Sequence, residues 1–344
     1  MVKMWDEIWE QPVVLERALR DLSAVQAVVQ AVHAQKINFV YIAARGTSDH
    51  AAVYGKYLME TMLGIPVALA ASSVLTVYQR DLHLKNALVI GISQSGKAAD
   101  VLEVIKNANS QGAITLTITN APDSPLAQEA KFHLDCNAGA EVSVAATKTF
   151  TAELFLLAQL VAEWAADPDF KAELALVPGK ITQTLEIARD IAEKAVRYRF
   201  MNECFVLARG INYAIALETA LKVQETNYVR AKAFATSDFW HGPIAMVNRD
   251  IPVFVLAPAG PSLPDVSAMI EKLQQNQAEL VIISNRPELL QMGTCSFAIP
   301  ETENDAISPF FNIVTAQMFA CQLALIKGLN PDSPRGLNKV TITK

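Results

Sequence analysis

Apolar residues along this chain fall into two alternating textures: short unbroken runs, and longer stretches in which they recur every three or four positions. A helical stretch over about 13–35 leads into a β-rich run at 38–43. Helical periodicity follows at 49–63, a second run at 66–70 and a third at 87–92. The next helix carries Val101, Val104, Ile105 and Ala108 on one stripe and stops at Gly112, before a fourth run at 113–119. These runs lack polar alternation, as strands covered on both faces do. Strand and helix in turn predict an α/β fold built on a parallel, doubly wound sheet.

The second half repeats the first. Phe205-Val206-Leu207-Ala208-Arg209-Gly210 echoes Val40-Tyr41-Ile42-Ala43-Ala44-Arg45-Gly46, and further strands are expected at 252–257 and 279–284. An interval of roughly 164 residues is far longer than a solenoid repeat and predicts two similar domains in tandem. The expected division is 1–166 and 200–344, joined by a polar helical linker over 167–199 that contains the turn signal Pro178-Gly179. The repeat fails at one informative place. The third run ends in Ser93-Gln94-Ser95-Gly96, whereas its counterpart ends in Ala257-Pro258-Ala259-Gly260. Ligands of open α/β sheets sit beyond the carboxyl ends of the strands. The asymmetry therefore assigns ligand gripping to the first half and other chemistry to the second.

Composition narrows the partners. A 344-residue chain that is 51% hydrophobic can bury a sizeable core. A net charge of −6 counts against a nucleic-acid partner, but not against a small anion held by backbone N–H groups and hydroxyls. The N-terminus is acidic and lacks an apolar signal core, and the apolar stretch 150–166 is interrupted by Glu153 and Glu163, so no membrane segment is expected. Cys136, Cys204, Cys295 and Cys321 form no CxxC pair and read as reduced thiols of a cytoplasmic protein. No histidine pair has metal-ligand spacing, and no metal is expected.

Ser93-Gln94-Ser95-Gly96 lies between a buried run and an amphipathic helix. Gly96 allows close backbone approach, hydroxyls and first-turn N–H groups donate, and the helix terminus adds partial positive charge. The pattern predicts a phosphate cradle; the alternative is an ordinary serine helix cap. Ser48, in Gly46-Thr47-Ser48 at the end of the first run, stands in the same relation to the sheet. It reads either as a ligand contact or as a cap. In the second half Glu218, Lys222 and Glu225 share one helical face. They form either a surface ion-pair ladder or, given their small and apolar neighbours, a buried acid–base cluster. His241, in Phe239-Trp240-His241-Gly242-Pro243, suits proton transfer near neutrality but occupies a setting that is commonly structural. Spacing and composition do not single out Lys339.

Several of these segments together resemble the sugar isomerase (SIS) superfamily. They are Arg45-Gly46-Thr47-Ser48, Ser93-Gln94-Ser95-Gly96, Ala145-Ala146-Thr147-Lys148, Ala220-Leu221-Lys222-Val223-Gln224-Glu225, His241-Gly242-Pro243 and the tail from Pro334 to Thr341. The entry Glu7-Ile8-Trp9-Glu10-Gln11-Pro12 resembles the start of the isomerase half of glucosamine-6-phosphate synthase. Arg45 to Ala51 and Gly328-Leu329-Asn330-Pro331-Asp332 look most like stand-alone isomerising glucosamine-6-phosphate deaminases. The resemblance implies two flavodoxin-like SIS domains. It implies that Ser93, Gln94 and Ser95 bind the phosphate, and that Ser48, Asn338 and the Val144 backbone meet the sugar. Glu225 would move a proton between C1 and C2 with Lys222 beside it. His241 would open the ring from the other subunit of a homodimer with shared active sites. Lys339 would close the site and could form an imine with a ketose. No cofactor is implied.

Two departures from the synthase pattern shape the expected reaction. Lys97-Ala98 replaces its glutamate–threonine, and Ala146 replaces a serine. The chain also starts at the isomerase region, so no glutaminase is expected to feed it ammonia. The implied activity is conversion of glucosamine 6-phosphate to fructose 6-phosphate and ammonia. The alternatives are a fructosamine-6-phosphate deglycase, an aminogalactose-phosphate deaminase or isomerase, or a non-catalytic sugar-phosphate sensor.

Overall fold

The computed structural model describes residues 2–339 and opens on three helices, α1 (Lys3–Trp9), α2 (Gln11–Ala18) and α3 (Ser23–Ala34). The single helix expected over 13–35 is therefore broken. The Asp21 carboxylate accepts the Ser23 N–H at 2.8 Å, a local turn that competes with continued helix and restarts the chain as α3. Val340 and Thr341, the end of the tail motif, lie outside the described residues.

The first sheet follows as β1 (Phe39–Ala43), α4 (Thr47–Leu58), β2 (Val67–Leu69), α5 (Ser73–Thr76), β3 (Ala87–Ile92), α6 (Ala99–Ser110), β4 (Ile114–Thr119), α7 (Pro125–Glu129), β5 (Phe132–Asp135) and α8 (Lys148–Trp164). All five strands are parallel, in the order β2-β1-β3-β4-β5. Every residue of β3 and β4 is buried, which is why these strands read as unbroken apolar runs. Val101, Val104, Ile105 and Ala108 of α6 pack with Tyr41, Ala87 and Val89 in one core cluster. Winding reverses between β1 and β3, and the crevice at such a switch point opens at the carboxyl ends of those two strands. Those ends carry Ser48 and the Ser93–Gly96 loop.

Helices α9 (Pro168–Ile187) and α10 (Ile191–Ala195) precede the second sheet. It runs β6 (Glu203–Ala208), α11 (Tyr213–Asn227), β7 (Arg230–Ala235), α12 (Thr236–Trp240), β8 (Pro252–Leu256), α13 (Leu263–Gln275), β9 (Glu279–Ser284), α14 (Pro287–Leu290), β10 (Cys295–Ala298) and α15 (Ser308–Ile326). Its order, β10-β9-β8-β6-β7, is the same winding, again all parallel. The chain thus holds two five-stranded doubly wound α/β domains. Tyr198, Phe254, Phe297 and Phe319 meet edge-on or tilted, with centroids 5.1–6.1 Å apart, and pack α15 onto the second sheet. Helix α15 is long and apolar enough to cross a membrane, yet 83% of its most apolar stretch is buried inside the structure.

The described chain forms two compact units. One comprises 13–141, 148–176 and 338–339, and carries the first sheet. The other comprises 2–12, 142–147 and 177–337, and carries the second.

Candidate active site

In the unit of the first sheet, β3 ends at Ile92 and the chain turns at once. The Gly96 N–H donates to the Ser93 carbonyl at 3.0 Å, and Gly96 takes φ +62°, a left-handed conformation that glycine adopts at little cost. The loop is pinned from outside. Ser93 N–H donates to the Ile118 carbonyl, Asn120 N–H to the Gln94 carbonyl, and Leu126 N–H to the Gly96 carbonyl. A Cβ at Gly96 would overlap the Ser124 side chain, so the loop lies flat against the start of α7. Helix α6 begins behind Ala98 and has no side-chain cap. The serine-cap reading of Ser93 and Ser95 therefore does not hold: Ser93 is buried, and the Ser95 hydroxyl accepts the Lys97 N–H at 3.4 Å, ahead of the helix. Arg45, at the end of β1, braces this helix through a 2.5 Å ion pair with the buried Asp100 in the first turn of α6.

Ser48 is buried at the start of α4, whose cap position is Gly46 rather than a hydroxyl side chain. Its Oγ donates to Glu153 Oε1 at 2.9 Å, so a ligand hydroxyl can meet Ser48 with Oγ as acceptor. In the same unit Glu141 is buried. It accepts the Thr149 N–H at 3.2 Å and hydroxyl at 2.8 Å, at the start of α8. Lys339 Nζ reaches Glu141 Oε2 at 2.7 Å, so the tail lysine is held by a buried carboxylate, while Asn338 is exposed.

In the unit of the second sheet, α11 brings Glu218, Lys222 and Glu225 together. Lys222 Nζ lies 3.2 Å from Glu218 Oε1 and 2.6 Å from Glu225 Oε2. The Lys222 and Glu218 side chains are completely buried, whereas that of Glu225 is 21% exposed. Burial works against the charge on Lys222, but Glu218 and Glu225 outweigh it and hold the pKa above the ordinary lysine value. This is no surface ladder: a buried cation is flanked by two carboxylates, of which only Glu225 meets solvent. Helix α11 ends at Tyr228 in left-handed conformation. The tail docks there, with Arg335 stacked 4.2 Å from the Tyr228 ring and donating its N–H to the Tyr228 hydroxyl at 2.8 Å.

His241 sits at the C-cap of α12, exposed beside the exposed Trp240 and, further along, Met246. Val144 lies in the segment 142–147, with its N–H donated to the Asp332 carbonyl at 3.1 Å. Within their respective units the structure thus joins Lys222 to Glu225 and sets Ser48 and the Ser93–Gly96 loop on neighbouring strand ends. It leaves His241 on an exposed surface.

Sequence reading gave no site role to three buried carboxylates that partner expected site residues or their loops: Glu7, Glu141 and Glu153. The available signal was a charge inside an apolar stretch. Glu153 interrupts a run that is otherwise mostly apolar. Among the described residues, no three of His, Cys, Asp and Glu gather so as to hold a metal ion.

Comparison with known proteins gives the family and the fold. The model of the SIS domain matches residues 35–163 and 201–327. Glutamine--fructose-6-phosphate aminotransferase [isomerizing] of Aquifex aeolicus is 33% identical over 99% of the chain, and that of Methanothermobacter thermautotrophicus is 34% identical over 98%. The chain spans 57% and 56% of those proteins, a little over half their length. Among solved structures, a Silicibacter pomeroyi protein assigned as a phosphosugar isomerase has 30% identity and TM-score 0.86, covering 96% of this chain and 100% of its own. Glucosamine-6-phosphate deaminase of Thermotoga maritima shares the fold at TM-score 0.77 and 23% identity, covering 99% of this chain and 100% of its own.

Proposed function

Since the chain belongs to the SIS-domain family, we propose that it is a cytoplasmic aminosugar-phosphate deaminase of the isomerising kind, converting glucosamine 6-phosphate to fructose 6-phosphate and ammonia. The observation that carries this reading is the α11 cluster. A carboxylate at the solvent edge is backed by a buried ammonium, the arrangement proton transfer at a sugar carbon requires. Ser93, Gln94 and Ser95 hold the phosphate and Ser48 accepts a sugar hydroxyl. His241 assists ring opening. Its exposure beside Trp240 supports a homodimer in which it serves the partner's substrate.

In the open-chain aldehyde, Glu225 removes the C2 proton, the C2–H electron pair forms the C1=C2 bond of the enolamine, and the C1=O pair moves to O1, which takes a proton from water. Returning the proton to C1 gives an imine at C2. Water adds to that carbon, the C–N bond breaks, and ammonia leaves as the ketone of fructose 6-phosphate forms. Lys222 stays charged throughout and offsets the charge that builds up and decays beside Glu225. Lys339, held by Glu141, and Asn338 close the tail over the sugar, and the Val144 backbone contacts it.

The reading is tested by incubating purified protein separately with glucosamine 6-phosphate, galactosamine 6-phosphate and a fructosamine 6-phosphate, and measuring ammonia, ketose phosphate and free amino acid. Ammonia and fructose 6-phosphate in equal amounts from the first are expected. Turnover of the third alone, with release of its amino acid, would overturn the deaminase assignment in favour of a deglycase.

A further inference from the structure

Glu7 is a buried carboxylate that the proposed chemistry does not use. It lies on α1, and Asp332 fixes that helix by accepting the Lys3 and Met4 N–H groups at 2.8 Å each. Gln11, just beyond, donates to Gln317 Oε1 of α15 at 3.1 Å. From this anchored helix Glu7 reaches the segment 142–147. Its carboxylate accepts the Val142 N–H and the Ser143 hydroxyl, and the Ser143 N–H at 3.2 Å and 3.3 Å. The next N–H, that of Val144, goes to the Asp332 carbonyl. Three consecutive N–H groups are thereby consumed by α1 and the residue that caps it. A ligand approaching this backbone can meet it only through carbonyl oxygens, as acceptors. Val144 is half-buried, with the buried Ser143 and Ala145 on either side.

We propose that Glu7 is a positioning residue for sugar recognition. By drawing the Val142 and Ser143 N–H groups to itself, it turns the Val144 carbonyl outward to accept a hydrogen bond from a hydroxyl of the sugar phosphate. This rests on the reading of the chain as a sugar-phosphate enzyme and adds to it the group that sets sugar affinity apart from phosphate affinity. A carboxylate suits the position because the Val142 N–H, the Ser143 N–H and the Ser143 hydroxyl all donate to it. Glutamine at this position would turn an NH2 group against N–H groups already pointing inward.

The test compares the full chain with Glu7→Gln and Ser143→Ala, titrating each by calorimetry with fructose 6-phosphate and with inorganic phosphate. The parent is expected to favour the sugar phosphate. Glu7→Gln should lose roughly tenfold in affinity for fructose 6-phosphate and keep its affinity for inorganic phosphate within about twofold. Ser143→Ala, which removes one of the bonds to Glu7, should lose roughly two- to fivefold in the same selective way. A parent that binds fructose 6-phosphate no more tightly than phosphate would remove the sugar-phosphate reading and this inference with it. A parent with the preference, and a Glu7→Gln variant that keeps it or weakens for both ligands equally, would overturn the inference alone. Should Glu7→Gln fail to fold, an unchanged preference in Ser143→Ala overturns it.

Discussion

The Lys222 side chain is fully buried, and the two carboxylates of its own helix maintain its charge against burial. Replacing it with methionine leaves Glu218 and Glu225 facing each other without a cation between them. Lys222→Met should cost about 3–5 kcal/mol, read from denaturant unfolding, and adding Glu218→Gln should recover part of the loss. Glu225→Gln keeps an acceptor for Lys222 and should leave stability nearly unchanged. If Glu225 is the base, this variant lowers kcat by about 10²–10⁴-fold while the affinity for inorganic phosphate stays put. A variant with full activity would remove Glu225 from the mechanism. At this scale the sequence showed which residues share a face of α11, because helical spacing fixes that. It did not reveal which of the three meets solvent, since that depends on what packs over the helix. Glu141 shows the limit from the other side. It lies 198 positions from Lys339 along the chain, and no local pattern links the two.

The Ser93–Gly96 loop works as an element because β3, β4 and α7 fix it at three backbone points. Gly96→Ala should disturb it twice, through a left-handed φ that costs roughly 1–2 kcal/mol for an L-residue and through overlap with the Ser124 side chain that caps α7. The expected outcome is an affinity for inorganic phosphate lowered on the order of tenfold, measured by calorimetry, together with a lower Tm. Unchanged phosphate affinity would mean that this loop is not the cradle. The central strands were legible because both their faces are covered. The edge strands β5, β7 and β10 were not. They carry His133 and Asp135, Arg230 and Lys232, or Cys295 and Ser296, and mixed polarity is what protects a sheet edge from unwanted pairing. The break between α2 and α3 was hidden for a different reason: the apolar period continues across it, and one Asp21–Ser23 turn decides it.

Over the whole molecule, the repeat with an interval of roughly 164 residues correctly foretold two sheets, because both wind in the same order and the same strand ends recur. The buried thiols set an alkaline limit on stability. Burial, with Glu203 adding to it, pushes Cys204 from 9.0 up to about 12, and burial with Asp332 does the same to Cys321. Between those values the unfolded chain releases protons that the native chain keeps, so stability present below pH 9 is lost as pH rises towards 12. Each thiol should remove about 1.4 kcal/mol per pH unit in this range. Unfolding by urea at pH 8.5 and 10.5 should show a steep decline, and a shallower one in Cys204→Ala/Cys321→Ala. What no reading along the chain could supply is the place of α1, whose Lys3 N–H bonds to a residue 329 positions away. That closure has a consequence for the order of folding. Both Lys3 and Met4 bond to Asp332 across more than three hundred positions, so the chain between them must be organised before the contact can form. Docking of α1 therefore belongs to the late steps of refolding, and protection of the Lys3 and Met4 amides from hydrogen exchange reports when it is complete.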